Sequence, residues 1–573
     1  MKQRKLNMQQ TNRLNALLHN AQHAYISNEF EQAALLCQQI MAFSKNNPDA
    51  QTILSRIDMK QGQPDKAESD LRLAIKQHPR HPGLIACLGT LYREQGNYLQ
   101  SLTYWKQYTR LCPRGAEGWQ ALATTLCDLS RWSDADTPAR TALKLAPKHS
   151  PSHANLGRIL QMQNRYDEAS VYMRKAIELA PDNTKGLYNL ARLLMETGEL
   201  DEARQRLLQL LEIEPEHANA IYLYCRHTKF TAFDSILNIA EDILSNESLP
   251  SRNRGIMGFS LGQAWADLGD YDKSFAYYKQ GNQHFRNEID YNIDDDRRML
   301  EVISTTFTKE LFHAHADSNR GKNLIFVLGM PRSGSSLVAR ILDAHAKTVD
   351  TGETDTLGFA VHNILSPGEA FSEVRDFPFP NICHITPKLI TQATTEYSNA
   401  LHAAFGKHAR YIDKTLYHHW LVGVIHILFP KAKIVHAHRD PLDNCLSIYS
   451  TSFEGRFFKF AYDLKELGGY YQIYSELMEH WRTTLPEGVM YEIANESLIA
   501  DPEGEMRRLV AFCELEWDDS FLKFHEKRGV VKTQSLSQVR SGISNKSIGR
   551  WKPYEKHLQP LIDALGDAIQ QSR

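Results

Sequence analysis

The chain has 573 residues, more than one ordinary domain holds, so its length predicts at least two folded domains. It contains 42% hydrophobic and 23% charged residues, a normal composition for a water-soluble protein, and its net charge of −2 excludes a strongly basic nucleic-acid binder. Residues 1–15 are polar and basic, and no stretch reaches the roughly 18 apolar residues of a membrane span. We therefore expect a cytoplasmic protein with neither a membrane span nor nucleic acid as a partner. The eight cysteines form no C-x-x-C pair, so neither a disulfide framework nor a metal site is expected.

Prolines recur every 34 residues in the N-terminal half, at Pro79, Pro113, Pro147, Pro181 and Pro215. This is the period of tetratricopeptide (TPR) repeats, in which each unit is a pair of antiparallel helices. Small residues repeat in the same phase, and Gly62, Gly96, Asn164 and Gly198 fall at the turn inside a unit. The pattern predicts an all-α right-handed solenoid over residues 15–288 with about eight repeats. Residues 218–250 form a degenerate unit.

The concave face of such a solenoid is suited to binding a peptide or protein partner. The alternative is that its apolar positions only pack helix against helix and that the array is a scaffold or an oligomerisation module. With an oligomerisation module, the chain would form a homodimer, which is a further alternative.

Beyond a linker predicted over residues 289–320, strands and helices alternate along residues 321–573. This order predicts an α/β domain with a central parallel sheet. Ligands of such sheets bind at the carboxyl ends of the strands, so residues that directly follow strands are the candidates for chemistry.

The stretch Asn323–Leu342 combines a short apolar strand, a Gly/Ser-rich turn and a helix. Gly329 and Gly334 have the spacing of a nucleotide-binding P-loop, but Ser335 and Ser336 stand where that motif has Lys and Ser/Thr. The missing lysine argues against a nucleoside triphosphate with Mg²⁺, while the helix N-terminus remains suited to another anion. A generic Gly-rich turn is the alternative.

A second motif begins at the end of a later predicted strand, where Arg439 is followed by Ser447 on the next helix. Arg offers a planar fork for phosphate, and Ser offers a neutral hydrogen-bond donor. The alternative is that Arg439 forms an ion pair with Asp440 or Asp443.

The loop G-M-P-R-S-G-S-S-L resembles the 5′-phosphosulfate loop of sulfotransferases, which use 3′-phosphoadenosine 5′-phosphosulfate (PAPS) as sulfate donor and no metal. The Arg439 segment is similar to their 3′-phosphate motif. Together with the repeats, the chain resembles TPR-containing sulfotransferases with a P-loop-like, tyrosylprotein-sulfotransferase-like catalytic domain.

The resemblance implies residue roles. Arg332, Ser333, Gly334, Ser335 and Ser336 hold the phosphosulfate, and the other cofactor-binding positions are Arg439, Ser447, Tyr491 and Arg550. Glu353 matches the general base of the tyrosylprotein class, while Lys414 and Ser535 match groups that stabilise the leaving oxygen, with Arg332 assisting. Thr415-Leu416 replaces the usual Met-Pro after the lysine, and Asp355 and His418 are the alternative bases.

The resemblance also favours a peptide tyrosine as acceptor, presented by the solenoid. A carbohydrate, lipid or small-molecule hydroxyl is the alternative within the class. An inactive nucleotide-binding TPR scaffold is the alternative outside it.

Overall fold

A computed structural model of the chain describes residues 8–316, 318–368, 374–453, 456–527 and 542–571, of which 456, 457, 570 and 571 are described by their backbone only. The chain divides into two compact units, one ending at Leu193 and one beginning at Leu194. No helix among these residues combines the length and the apolar character needed to cross a membrane.

The first unit consists of helices paired in antiparallel fashion. They are α1 Met8–Ile26, α2 Phe30–Phe43, α3 Pro48–Lys60, α4 Pro64–Gln77, α5 Pro82–Glu94, α6 Tyr98–Leu111, α7 Ala116–Asp128, α8 Trp132–Leu145, α9 Ser150–Met162 and α10 Tyr166–Leu179, followed by α11 Thr184–Thr197 at the division.

The predicted tetratricopeptide architecture is confirmed, and its turns have a repeated geometry. Gly62, Gly96 and Asn164 take positive φ angles of 73°, 75° and 61°, which end the first helix of each pair. Ser130 occupies the same position with φ 56°, although serine gives little sequence signal for this conformation. Pro79 follows α4 by two residues, where proline prevents the helix from continuing.

The second unit begins with the last repeats and continues into the α/β domain. Its first helices are α12 Leu200–Ile213, α13 Ala218–His227, α14 Ile236–Ser245, α15 Ser251–Asp267, α16 Tyr271–Arg286, α17 Ile293–Thr306 and α18 Lys309–Ala314.

The α/β domain contains five strands: β1 Leu324–Leu328, β2 Thr348–Gly352, β3 Arg410–Asp413, β4 Lys433–His438 and β5 Met490–Ala494. Its helices are α19 Ser335–Asp343, α20 Thr356–Leu365, α21 Pro387–Phe405, α22 His418–Leu428, α23 Pro441–Tyr449, α24 Leu464–Thr484, α25 Asn495–Ala500, α26 Pro502–Phe512, α27 Gln559–Leu565 and α28 Ala568–Gln571. Short 3-10 helices lie at Val374–Asp376, Phe379–His384, Arg456–Tyr462, Asp519–Phe521, Phe524–Glu526, Asn545–Ser547 and Lys552–His557.

The sheet is parallel throughout, in the order β2-β3-β1-β4-β5, as predicted for the domain class. β1 is central and fully buried, which explains its uninterrupted apolar sequence. Ile325 and Val327 point into the core on one face of the sheet, and Phe326 and Leu328 point into the core on the other. The carboxyl ends of β3, β1 and β4 therefore lie side by side.

Within the predicted linker over residues 289–320, α17 and α18 form and contribute to the core of the α/β domain. Met299, Ile303, Phe307 and Phe312 are buried in the same hydrophobic cluster as the sheet and α24. The apolar spacing of this segment is that of a packed helix.

Candidate functional site

The loop after β1 has a backbone that glycine makes possible. Gly329 has φ 152°, and a Cβ there would lie 2.2 Å from the carbonyl oxygen of Ala437 at the end of β4. Arg332 and Gly334 take positive φ angles of 68° and 104°, and α19 begins at the next residue. The first backbone N–H groups of α19 have no partner within the helix, so the loop presents donors and the positive end of the helix dipole.

The two predicted anion motifs meet at this loop. The Arg332 guanidinium donates from Nε to Ser447 Oγ at 3.1 Å, and Arg439 Nη1 lies 3.5 Å from the carbonyl oxygen of Arg332. Pairing of β1 with β4 brings these segments together across about a hundred residues of sequence. Asn444, which sequence reasoning missed, is buried and donates to the Pro331 carbonyl oxygen at 2.8 Å, so α23 also fixes the loop.

Two buried donors at this place have no hydrogen-bond partner among the described residues: Ser333 Oγ and Arg439 Nε. A buried polar atom without a partner is costly and needs a specific reason. Of these two residues, Arg439 lines the cavity described below.

Arg439 is only weakly compensated by the carboxylates that were its alternative partners. The distance from Arg439 Nη2 to Asp443 Oδ1 is 3.9 Å. Asp443 itself accepts the backbone N–H groups of Gly549 at 2.6 Å and Trp551 at 3.1 Å. Asp440 caps α23 by accepting the N–H of Asp443. Asp443 thus holds the C-terminal segment beside Arg439, and Arg439 donates to the Ser547 carbonyl oxygen.

A cavity of about 480 Å³ opens in front of the loop, a volume in the range of ligand pockets. Gly334, Ser335 and Ser336 line it with neutral donors. Five basic side chains and one carboxylate also line it: Lys229, Arg332, Arg439, Lys546 and Arg550 against Asp267. The cavity is therefore suited to an anion.

The electrostatics of Arg332 reflect the same excess of positive charge. Burial lowers the pKa of its guanidinium to about 9, with Arg226, Arg550 and Arg439 as further causes. Each nearby cation disfavours the charged form of its neighbour. An anion placed among them would relieve this repulsion.

The predicted base and its lysine lie at neighbouring strand ends and form an ion pair. Glu353 follows β2, Lys414 follows β3, and the Lys414 ammonium donates to Glu353 Oε1. The Lys414 side chain is 1% exposed, whereas that of Glu353 is 42% exposed. Neither residue lines the cavity described above.

The alternative bases are engaged or buried. Asp355 Oδ1 accepts the Tyr417 hydroxyl at 2.9 Å. His418 is fully buried, and its burial lowers the pKa of the imidazole to about 3. Its Nδ1 lies 3.6 Å from Asp413 Oδ1. A histidine in this position is neutral and out of reach of solvent.

The structure does not bring Tyr491 into the cavity. Its ring stacks on Phe512 with centroids 5.3 Å apart, and its hydroxyl donates to Glu505 at 3.0 Å. Ser535 lies outside the described residues. Residues from the repeats that line the cavity, including Gln263, had no motif by which sequence reasoning could find them.

Comparison with known families and proteins finds matches for both the repeats and the α/β domain. Residues 324–519 match the model of a sulfotransferase family, and residues 163–224 match that of the tetratricopeptide repeat. The chain is 31% identical over 347 residues to an uncharacterized protein of Aquifex aeolicus (strain VF5), covering 60% of this chain and 45% of that protein. It is 26% identical over 222 residues to protein-tyrosine sulfotransferase A of Caenorhabditis elegans, covering 39% of this chain and 57% of that protein. The chain thus spans about half the length of these curated relatives.

A solved structure of Pseudomonas aeruginosa pilF is also similar, at 17% identity and a TM-score of 0.34, covering 36% of this chain and 94% of that one.

Proposed function

Because this chain carries a sulfotransferase-family domain beside tetratricopeptide repeats, we propose that it transfers the sulfuryl group of PAPS to an acceptor hydroxyl. The observation that carries the proposal is the basic cavity in front of the loop after β1, with its glycine backbone, helix N-terminus and converging cations. Such preorganised donors stabilise the negative charge that spreads over the sulfonate oxygens in the transition state.

The roles follow from position. The loop amides of Gly334, Ser335 and Ser336, with Arg332, hold the 5′-phosphosulfate. Arg439 and Arg550 hold the phosphate at the 3′ position. Ser447 also binds that phosphate, and its contact with Arg332 links the two groups. The place of Tyr491 near the adenine stays a prediction, since its ring stacks on Phe512 and it does not line the cavity.

The transfer is an in-line displacement. The acceptor oxygen attacks sulfur and loses its proton to Glu353, while the bond from sulfur to the bridging oxygen breaks and its electron pair stays on the 5′-phosphate. Lys414, and Ser535 by its resemblance, stabilise that departing oxygen. The ion pair between Glu353 and Lys414 holds both groups at the strand ends before reaction, and the Lys414 ammonium must turn from Glu353 towards the donor.

We propose a peptide tyrosine as the acceptor. Support comes from the relatives named protein-tyrosine sulfotransferase, such as that of Drosophila melanogaster, 25% identical over 257 residues, 41% of this chain and 48% of that protein. The exposed side of Glu353 gives an acceptor hydroxyl access to the base.

Nucleotide binding tests the donor assignment. We expect adenosine 3′,5′-bisphosphate to stabilise the full chain against heat by about 2.7 kcal/mol at a hundredfold excess over Kd, while ATP with Mg²⁺ has little effect. Arg439→Ala should weaken binding of the bisphosphate about 10- to 100-fold, because it removes charge-assisted hydrogen bonds. Arg507→Ala is the matched control, since Arg507 lies on α26, where it pairs with Glu503 and does not line the cavity. An equal response to both nucleotides would refute the assignment.

The acceptor is tested by transfer from sulfur-radiolabelled PAPS onto tyrosine peptides, glycans and phenols. Label on tyrosine peptides supports the proposal. Label only on glycans or small hydroxyls keeps the sulfotransferase and refutes the tyrosine acceptor. Binding of the bisphosphate without any transfer would identify the chain as a nucleotide-binding scaffold.

A further inference from the structure

One wall of the basic cavity comes from the repeats. Gln263, Ala266 and Asp267 on α15, Tyr271 on α16 and Lys229 after α13 line the same space as the loop after β1 and Arg439. A sulfotransferase domain matched over residues 324–519 does not include this wall.

This wall is joined to the α/β domain by buried and specific contacts. The Ser274 hydroxyl lies 2.9 Å from the Tyr554 hydroxyl, and Asn282 Nδ2 donates to the Tyr449 carbonyl oxygen at 2.9 Å. The Phe275 ring stacks on His557 with centroids 4.6 Å apart. Tyr449 ends α23, the helix that carries Ser447, so α16 packs directly behind the predicted 3′-phosphate motif.

Asp267 contacts the segment that carries Lys229. Asp267 Oδ2 accepts the backbone N–H of Phe230 at 3.3 Å, and Oδ1 accepts from Gln263 Nε2 at 3.3 Å. Phe230 is buried next to Lys229 and packs against Tyr224. Phe230 directly follows Lys229, an exposed residue that lines the cavity.

We infer that Lys229 is a further phosphate-binding residue of the donor site and that Asp267 is its positioning residue. This inference rests on the proposed use of PAPS, because Lys229 is assigned to bind the phosphates of that nucleotide. A lysine ammonium is a compact point charge that binds phosphate without a fixed orientation, which is suited to a site completed by a second structural element. The donor site is then composite, with one side from the sulfotransferase-family domain and one from the repeats.

Asp267 could act on anion binding by positioning Lys229 or only by its negative charge. The two roles predict opposite changes in affinity when Asp267 is replaced. Asp267 lies within electrostatic reach of both Lys229 and Arg550. If it acted only by its charge, its neutralisation would make the cavity more positive and tighten anion binding. If it positions Lys229, its loss weakens binding.

The test measures the affinity of the full chain for adenosine 3′,5′-bisphosphate by calorimetry. We expect Lys229→Met to weaken binding about 10-fold or more, with Lys229→Arg retaining most of the affinity. Lys279→Met is the matched control, because Lys279 is an exposed lysine on α16 that does not line the cavity, and it should change affinity less than twofold.

Asp267→Ala, which removes the acceptor of the Phe230 N–H together with the charge, tests the positioning role in two backgrounds. We expect it to weaken binding severalfold when Lys229 is present and to have no further effect in Lys229→Met. Tighter or unchanged binding would overturn the role of Asp267. Equal affinities of Lys229→Met and Lys279→Met would overturn the inference while leaving the donor assignment intact. Failure of the unmodified chain to bind the bisphosphate would refute both.

Discussion

The ion pair between Glu353 and Lys414 allows the predicted base to be tested separately from the stability of its site. Glu353→Gln keeps the shape of the side chain and removes its charge, which leaves the Lys414 ammonium, 1% exposed, without its nearest partner. Loss of one member of a fully buried pair costs about 3–5 kcal/mol, whereas an exposed pair contributes about 0–1 kcal/mol.

The structure places this pair between those limits. Solvent screens Glu353, whose side chain is 42% exposed. Asp350 also acts on Lys414, so part of the compensation remains after the substitution. We expect Glu353→Gln to lower the free energy of unfolding by about 1–2 kcal/mol, which leaves a typical domain folded. Lys414→Met should remove the buried charge, so the double variant should show a coupling of about 1 kcal/mol.

The assay is urea unfolding of the four proteins followed by tryptophan fluorescence, together with transfer measured at saturating PAPS. Glu353→Gln should bind adenosine 3′,5′-bisphosphate like the unmodified chain and lose about 10²- to 10⁴-fold in turnover, the usual contribution of a general base. Asp355→Asn is the control, because Asp355 already accepts the Tyr417 hydroxyl and should keep turnover within a few fold. Turnover retained in Glu353→Gln would remove Glu353 from its role, and a coupling below about 0.3 kcal/mol would refute the ion pair.

Two further predictions concern the stability of the second unit. Burial raises the pKa of Asp413 to about 7 from an ordinary 3.8. Between these two values the folded state keeps a proton that the unfolded state has lost. The free energy of unfolding should therefore fall as pH rises from about 4 to about 7. Asp413→Asn should flatten this dependence in urea unfolding at pH 5 and pH 7.5, and an unchanged slope would contradict the assignment. A chain that begins at residue 321 should lose cooperative thermal unfolding, because it lacks Phe307, Phe312 and the Asn282 contact to Tyr449, whereas a chain that begins at residue 194 should retain it. Equal melting temperatures of the two chains would show that residues 194–320 do not stabilise the α/β domain.

Local signals explain what could be predicted from the sequence. Gly62, Gly96 and Asn164 were identified as turns because glycine and asparagine tolerate positive φ, and the structure has them there. Ser130 was missed because serine has no such preference and tertiary packing sets its conformation. The sequence also predicts the loop after β1 and Arg439 as parts of the site, because each directly follows an apolar strand.

Contacts between distant segments could not be predicted. Asp443 is the alternative ion-pair partner of Arg439 and lies 3.9 Å from it, but it also accepts the backbone N–H groups of Gly549 and Trp551 near the end of the described chain. The resemblance places Tyr491 near the nucleotide, which stays a prediction, and the stacking of its ring on Phe512 has no local sequence signal. Such outcomes depend on which segment packs beside a strand end, and no local pattern carries that information.

The composite cavity changes what the last repeats are expected to do. A repeat array was predicted to bind a partner on its concave face, and that stays a prediction. In the second unit, however, residues of α15 and α16 line the cavity, and α16 packs against α23. Substitutions of the residues in these helices that line the cavity should therefore change nucleotide affinity. Because the bisphosphate would contact both sides of the cavity, its binding should also raise the resistance of α15 and α16 to hydrogen exchange, since binding energy is added to their opening.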